Sequence, residues 1–174
     1  WGRVLLNRAG SFGCCELVAL SEVDPAELKK LYKKCSKVWT SEQLKAAKVY
    51  VDYRELFEKE GDNLDAVFIA TPNHHHALPA LLAIRRGIAA YIEKPMAHTM
   101  EEALMIEAEA KRTGAVVRVG NKGHNMTHRP KLAQYLKDGV IGDITEVFSY
   151  SDRPNTMLHR PPRCPVPEGM NWDF

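Results

Sequence analysis

The stretch Ile88-Ala89-Ala90-Tyr91-Ile92-Glu93-Lys94-Pro95 decides the fold. A short apolar run ends abruptly in a carboxylate, an ammonium and a proline. That is the pattern of the carboxyl end of a parallel strand, the edge where open α/β sheets bind their ligands. Proline fixes its own φ and drives the preceding residue, Lys94, toward an extended conformation. The blander alternative, a strand that stops at a charged loop, rests on the same residues, because Lys and Glu are mostly solvated.

Upstream, short apolar runs alternate with helical patterns. The segment from Trp1 to Ala9 is compatible with a helix, broken at Gly10-Ser11-Phe12-Gly13. Glu16 to Leu20 reads as a strand. Asp24-Pro25 opens a helix, with aspartate as the cap and proline in the first position. Val49 to Val51 suggests a short strand, and Asp52 caps a helix from Tyr53 to Lys59 that Gly61 stops. Ala66 to Ala70 is the clearest strand. Ala77 to Arg86 is a helix with Leu78, Leu81, Leu82 and Ile84 as its apolar residues, closed by Gly87. Thr99 and Glu102 form a capping box for a helix from Met100 to Arg112, which Gly114 ends. Ala115 to Val119 is a further strand.

The strands lack alternating polarity, so a parallel sheet covered by helices on both faces is expected. Beyond Asn121 the pattern changes. Pro130 to Lys137 reads as a helix stopped by Gly139, Ile144 to Tyr150 as a half-exposed strand, and Arg153 to Met170 as irregular. The expected organisation is residues 1–120 as one domain and 121–174 as the start of a second α+β domain. The chain opens on Trp1-Gly2-Arg3 without an initiator methionine and stops without a terminating signal, so both ends are expected to be cut.

Composition narrows the function classes. Of 174 residues, 45% are hydrophobic and 26% charged, with a net charge of +2. No basic block calls for nucleic acid or anionic lipid. No stretch approaches the roughly 18 apolar residues of a membrane span. The cysteines Cys14, Cys15, Cys35 and Cys164 match no zinc spacing and make a poor disulfide framework, so a reduced, buried role is expected.

Four constellations carry chemistry. Glu22 stands about 20 residues beyond Gly2, the distance at which a dinucleotide-binding unit places its ribose-binding carboxylate. Thr71-Pro72-Asn73-His74-His75-His76 follows a strand. Adjacent histidines cannot all point at one ion and no further ligand stands at metal spacing, so no metal is expected there. Lys94, with Glu93 beside it, can exchange a proton when desolvation or a neighbouring cation such as an oxidised nicotinamide favours its neutral form. Gly120-Asn121-Lys122-Gly123-His124 is another strand end, readable equally as a turn between domains.

Together these pieces resemble the family of glucose-fructose oxidoreductase, inositol dehydrogenase and their rhizopine-catabolism relatives (Gfo/Idh/MocA). Trp1-Gly2 with Leu5-Leu6-Asn7 looks like the end of its glycine-rich turn, with Gly2 as the third glycine. Thr71-Pro72-Asn73 with His76 matches its Thr-Pro-Asn-x-x-His signature, and Glu93-Lys94-Pro95 is its most specific motif. Gly120-Asn121, Gly139 to Gly142 and Asn171-Trp172-Asp173 resemble its sugar-type branch.

The resemblance implies a Rossmann-type doubly wound sheet with its first strand missing. It implies a bacterial nicotinamide-dependent oxidoreductase acting on a sugar, polyol or related hydroxyl compound. Lys94 would assist proton transfer, and Glu22 would favour NAD over NADP. Gly2, Glu22, Thr71, Pro72, Asn73, His76, Glu93, Lys94 and Asn121 would line the cofactor site. A catalytic Asp and His would come from beyond Phe174. The whole protein is expected to be a cytoplasmic homo-oligomer, and this chain alone to bind NAD poorly and be inactive. Two rivals stay open. One is an NAD-dependent glycosidase of the same superfamily, and the other a non-catalytic nucleotide-binding protein.

Overall fold

The computed structural model describes residues 1–121, 128–150 and 163–171. They form two compact units, one of Trp1–Gly120 with the segment from Pro167, the other from Asn121 to Val166. The first unit runs α1 (Gly2–Ser11), β1 (Ala19–Ser21), α2 (Pro25–Cys35), α3 (Ser41–Ala46), β2 (Lys48–Tyr50), α4 (Tyr53–Glu60), β3 (Ala66–Ile69), α5 (Ala77–Arg85), β4 (Ala89–Glu93), α6 (Met100–Thr113) and β5 (Val117–Gly120).

Among the described residues all strand pairs are parallel. β1 pairs with β2, and β4 lies between β3 and β5, with Ile92 opposite both Ile69 and Val119. Among the described residues β1 and β3 each have a strand neighbour on one side. A doubly wound sheet places its first strand between the second and the fourth. The observed orders, β2-β1 and β3-β4-β5, each match one side of such a sheet.

The larger core packs α4, α5 and α6 on β3 and β4, through Phe57, Ile69, Leu81, Ile84, Ile92 and Ile106. Burial of each large aliphatic side chain contributes about 1.5–3 kcal/mol. A smaller core joins α1, α2 and α3 through Ala9, Cys35, Trp39 and Leu44.

Local chemistry sets the boundaries. Asp24 Oδ1 accepts the Ala26 N–H at 2.8 Å and Asp52 Oδ1 the Arg54 N–H at 2.7 Å. Thr99 and Glu102 cap α6 reciprocally, and Gly114 closes it in the left-handed region at φ 73°. The sequence reading missed α3, although Thr40 and Gln43 form the same kind of reciprocal box.

α1 ends at Ser11, within the Gly10-Ser11-Phe12-Gly13 stretch expected to break it, and Trp39 packs on it, donating its indole N–H to Leu6 O at 3.0 Å. A Cβ built on Gly10 would stand 2.6 Å from the Trp39 ring, so glycine is there for the close approach. The strand expected from Glu16 is shorter, because the ladder to β2 begins only where Val18 O accepts the Lys48 N–H. α4 stops at Gly61 as expected, with φ −50° there, and a 3-10 turn, Gly61–Asn63, carries the chain on. Of the cysteines only Cys35 is buried; Cys14, Cys15 and Cys164 are exposed.

In the second unit α7 (His128–Lys137) ends at Gly139, φ 68°. Residues 144–150, expected as a strand, are exposed and pair with no described segment of that unit, so no ladder forms to define one. Most of the segment from Arg153, with Lys122 to His124, Trp172 and Asp173, lies outside the described residues. Among the described residues no helix is long and apolar enough to cross a membrane.

One buried polar network ties β2 to α4. The Glu60 carboxylate, almost fully buried, accepts from Lys48 Nζ at 2.8 and 3.0 Å and from the Tyr50 hydroxyl at 2.6 Å. The Lys48 ammonium, then the Tyr50 hydroxyl, hold the Glu60 carboxyl below its ordinary range. The same carboxylate pushes the Tyr50 phenol up to about 12 from 10.0.

The signs follow. A depressed carboxylate stabilises the fold above its unfolded pKa and loses that contribution as pH falls through its folded value. A raised phenol stabilises below its unfolded pKa and loses that contribution as pH rises toward about 12. The network's contribution is therefore expected to be flat from about pH 5 to pH 10 and to fall at both ends. Thermal unfolding of wild type and Glu60→Gln across pH checks this: the difference between them should shrink below pH 4 and above pH 10.

Candidate active site at the carboxyl ends of the strands

β4 is the central strand of its sheet, and its carboxyl end carries Glu93 and Lys94. Glu93 is 7% exposed, whereas Lys94 is exposed. The Lys94 backbone N–H donates to Glu93 Oε2 at 3.3 Å. The Lys94-Pro95 peptide is cis. A buried carboxylate thus stands next to an ammonium free to reach a ligand at this edge.

Gly120, at the end of β5, pairs with Glu93. A Cβ built on Gly120 would stand 2.9 Å from Glu93 Oε1 and 2.9 Å from the Tyr91 hydroxyl. The glycine makes room for the carboxylate. Sequence reading named Gly120 as a strand-end turn but missed this role; the signal was a glycine following an apolar run, in register with a strand-end carboxylate. Both atoms in the way are side-chain ends, so Gly120→Ala should fold. It is expected to move the Glu93 carboxylate and destabilise by about 1 kcal/mol. Thermal unfolding and the amide spectrum around Glu93 check this.

The loop after β3 closes on itself. Thr71 Oγ1 donates to His75 O at 2.9 Å, and the His75 N–H to Pro72 O at 2.8 Å. Pro72 and Asn73 are exposed at the start of the 3-10 turn Asn73–His75. The three histidines diverge. His74 is exposed, His75 meets Tyr53 edge-on at 5.2 Å, and His76 is buried. Burial, and then the His74 charge, push the His75 imidazole below its ordinary value. His76 has its ring nitrogens 2.5 Å from Pro95 O and 2.8 Å from Thr71 O, which brings this loop to the Lys94 turn. Among the described residues no three His, Cys, Asp or Glu side chains are grouped to hold a metal ion.

Glu22 follows β1. Its N–H donates to Tyr50 O at 3.0 Å, and its Oε1 accepts the Asp24 N–H at 3.0 Å, so its carboxylate is fixed at the carboxyl end of that strand. Gly2 begins α1; a Cβ built on it would stand 3.7 Å from Ala70 Cβ, so the helix starts close against the end of β3. α1 has neither a side-chain cap nor an acidic residue in its first turn, unlike α2 and α6. An uncapped helix amino end suits a phosphate, and a fixed carboxylate suits ribose hydroxyls. These residues fit a dinucleotide. The structure thus brings Thr71, His76, Glu93 and Lys94 together, and makes no hydrogen bond from Glu22 to any of them. Asn121 opens the second unit and is exposed.

A parallel α/β unit with such side chains at its strand ends is of the dinucleotide-binding class. More narrowly, the chain belongs to the Gfo/Idh/MocA family, described as the "Oxidoreductase family, NAD-binding Rossmann fold", which it matches over residues 3–121. It is 31% identical over 160 residues to a 1-carboxy-3-chloro-3,4-dihydroxycyclohexa-1,5-diene dehydrogenase of Comamonas testosteroni, covering 91% of this chain and 36% of that protein. It is 33% identical over 86 residues to a 1,5-anhydro-D-fructose reductase of Ensifer adhaerens, covering 49% of this chain and 26% of that one. In fold it is similar to scyllo-inositol dehydrogenase from Lactobacillus casei with bound NAD(H) and scyllo-inositol. The TM-score is 0.62 at 22% identity, over 81% of this chain and 39% of that chain. The chain therefore spans well under half the length of these relatives.

Proposed function

We propose that this chain belongs to an NAD-dependent oxidoreductase that transfers a hydride between NAD and a hydroxyl carbon of a sugar, polyol or related compound. The observation that carries this is the exposed Lys94 at the carboxyl end of the central strand, beside the buried Glu93. A bound nicotinamide supplies the hydride acceptor. Lys94 takes part in removing the hydroxyl proton, which must leave as the carbon is oxidised. Glu93 balances the ammonium and orients its turn. The amino end of α1, from Gly2, holds the pyrophosphate, and Glu22 holds the ribose hydroxyls.

Glu22 also repels a ribose 2′-phosphate, so NAD is the preferred coenzyme over NADP. Thr71, Pro72, Asn73 and Asn121 line the cofactor. Residues 121–174 begin a second domain that supplies most of the substrate specificity and the remaining catalytic groups. The whole enzyme works as a homo-oligomer in the bacterial cytoplasm.

The test is the complete reading frame, assayed for reduced nicotinamide against a panel of sugars and polyols, with NAD and NADP in parallel. Accumulation of NADH with one substrate class is the expected result. Tight NAD binding with no NADH, together with release of a sugar leaving group, would instead identify a glycosidase that returns its hydride.

A further inference from the structure

Cys14 and Cys15 take no part in the site at the strand ends, yet both are free thiols open to solvent. They follow Gly13, where φ of 67° turns the chain after α1, and they precede β1. Their sulfurs are 4.0 Å apart.

Three chemistries are open to two thiols held this close, and geometry separates them. A disulfide between neighbours is disfavoured. The Cys14-Cys15 peptide is trans, which sets the Cα atoms about 3.8 Å apart, short of the about 4.4–6.8 Å that bridged cysteines span. A structural zinc site takes four ligands. Among the described residues no third Cys, His, Asp or Glu joins the pair. A soft ion of lower coordination number remains, and thiolate ligands select such ions. With thiolate–metal bonds of about 2.3 Å, an ion bonded to both sulfurs would see them at an angle of roughly 120°. That is the angle of a trigonal, three-coordinate centre.

We infer that Cys14 and Cys15 form a two-thiolate site for a soft univalent cation, copper(I), whose third position is filled from outside by a small-molecule thiol. Uptake from a thiol-buffered ion is ligand exchange. Two bonds from copper to buffer thiolates break, and two bonds to the Sγ atoms of Cys14 and Cys15 form. The two cysteine protons pass to the released thiolates, and the oxidation state of the ion does not change. Adjacency makes the second bond intramolecular, which raises its effective concentration. The site is separate from the strand-end site. It lies beyond the carboxyl end of α1 and ahead of β1, whereas Glu22 and Lys94 follow the carboxyl ends of β1 and β4. α1, of ten residues, is about 15 Å long, so the pair stands a helix length from Gly2. Nothing in the inference rests on the role of Lys94.

The experiment titrates the complete protein, reduced and free of oxygen, with thiol-buffered copper(I) against a chromogenic copper(I) chelator. One ion per chain is expected to leave the chelator, with X-ray absorption showing three sulfur neighbours. Cys14→Ser and Cys15→Ser should each weaken binding at least about a hundredfold, because the chelate is lost. Both side chains are exposed, so these variants should fold, which thermal unfolding checks. Cys164→Ser should bind as the wild type does. No uptake, full affinity in either of the first two variants, loss of affinity in Cys164→Ser or a four-coordinate centre would each overturn the inference. NAD affinity should be the same with and without the ion, and competition between the two would overturn the separation of the sites.

Discussion

Lys94→Met in the complete enzyme is expected to lower kcat about a thousandfold, while affinity for NAD changes less than about threefold. General acid–base groups contribute about a hundred- to ten-thousandfold. Lys94 sits on an exposed position of the strand-end turn, so methionine preserves its length and removes only the titrating atom. The elements proposed to hold the dinucleotide, the amino end of α1 and Glu22, lie on other segments. Single-turnover kinetics and NAD titration measure the two quantities separately. A protein that keeps its turnover without the ammonium does not use Lys94 for proton transfer. Loss of NAD affinity in proportion to turnover would make Lys94 a binding cation instead.

The second large effect is on stability. Ile84→Ala is expected to destabilise the chain by about 3 kcal/mol, within the range of about 2–5 for large-to-small substitutions in cores. Ile84 has no exposed surface and lies in the cluster that joins α5 to β4 and α6. That core is the support for the strand that ends in Glu93. Stabilities of single domains are about 5–15 kcal/mol, so the loss is a large share. Leu78 on the same helix is 54% exposed, and Leu78→Ala should change stability by less than about 0.5 kcal/mol. Urea unfolding with an unchanged slope and a lowered midpoint for Ile84→Ala checks the first. Equal losses at both positions would mean that α5 is not packed as described.

That contrast shows what sequence could and could not reveal. Leu78, Leu81, Leu82 and Ile84 all read as apolar residues of one helix, yet Leu81 and Ile84 are buried, Leu82 is half-buried and Leu78 is exposed. Helical period identifies the element but not the width of the stripe that the sheet covers. Caps were legible at Asp24, Asp52 and Thr99 because a side chain beside its own backbone needs no tertiary partner. Thr40 was equally legible and was overlooked, in a stretch whose apolar pattern was weak.

The strand ends were legible for a similar local reason, an apolar run closing in Thr71-Pro72-Asn73 or in Glu93-Lys94-Pro95. Contacts that join distant segments were not. Nothing local ties His76 to Pro95, Gly120 to Glu93, or Glu60 to Lys48. The extended pattern of residues 144–150 misled because a strand is defined by its neighbour, which a sequence does not display.

The open flanks of β1 and β3 have a consequence for handling the polypeptide. Edge strands in stable proteins are usually blunted by lysine, proline or a bulge. β3, Ala-Val-Phe-Ile, has none of these along its length, and its Phe68 is 52% exposed. Its backbone groups on the side away from β4 form a ready template for any extended segment that can lie alongside. Among the described residues that ladder, four residues long, has a strand partner on the β4 side alone. An extended segment laid alongside it would find its main-chain partners already in place.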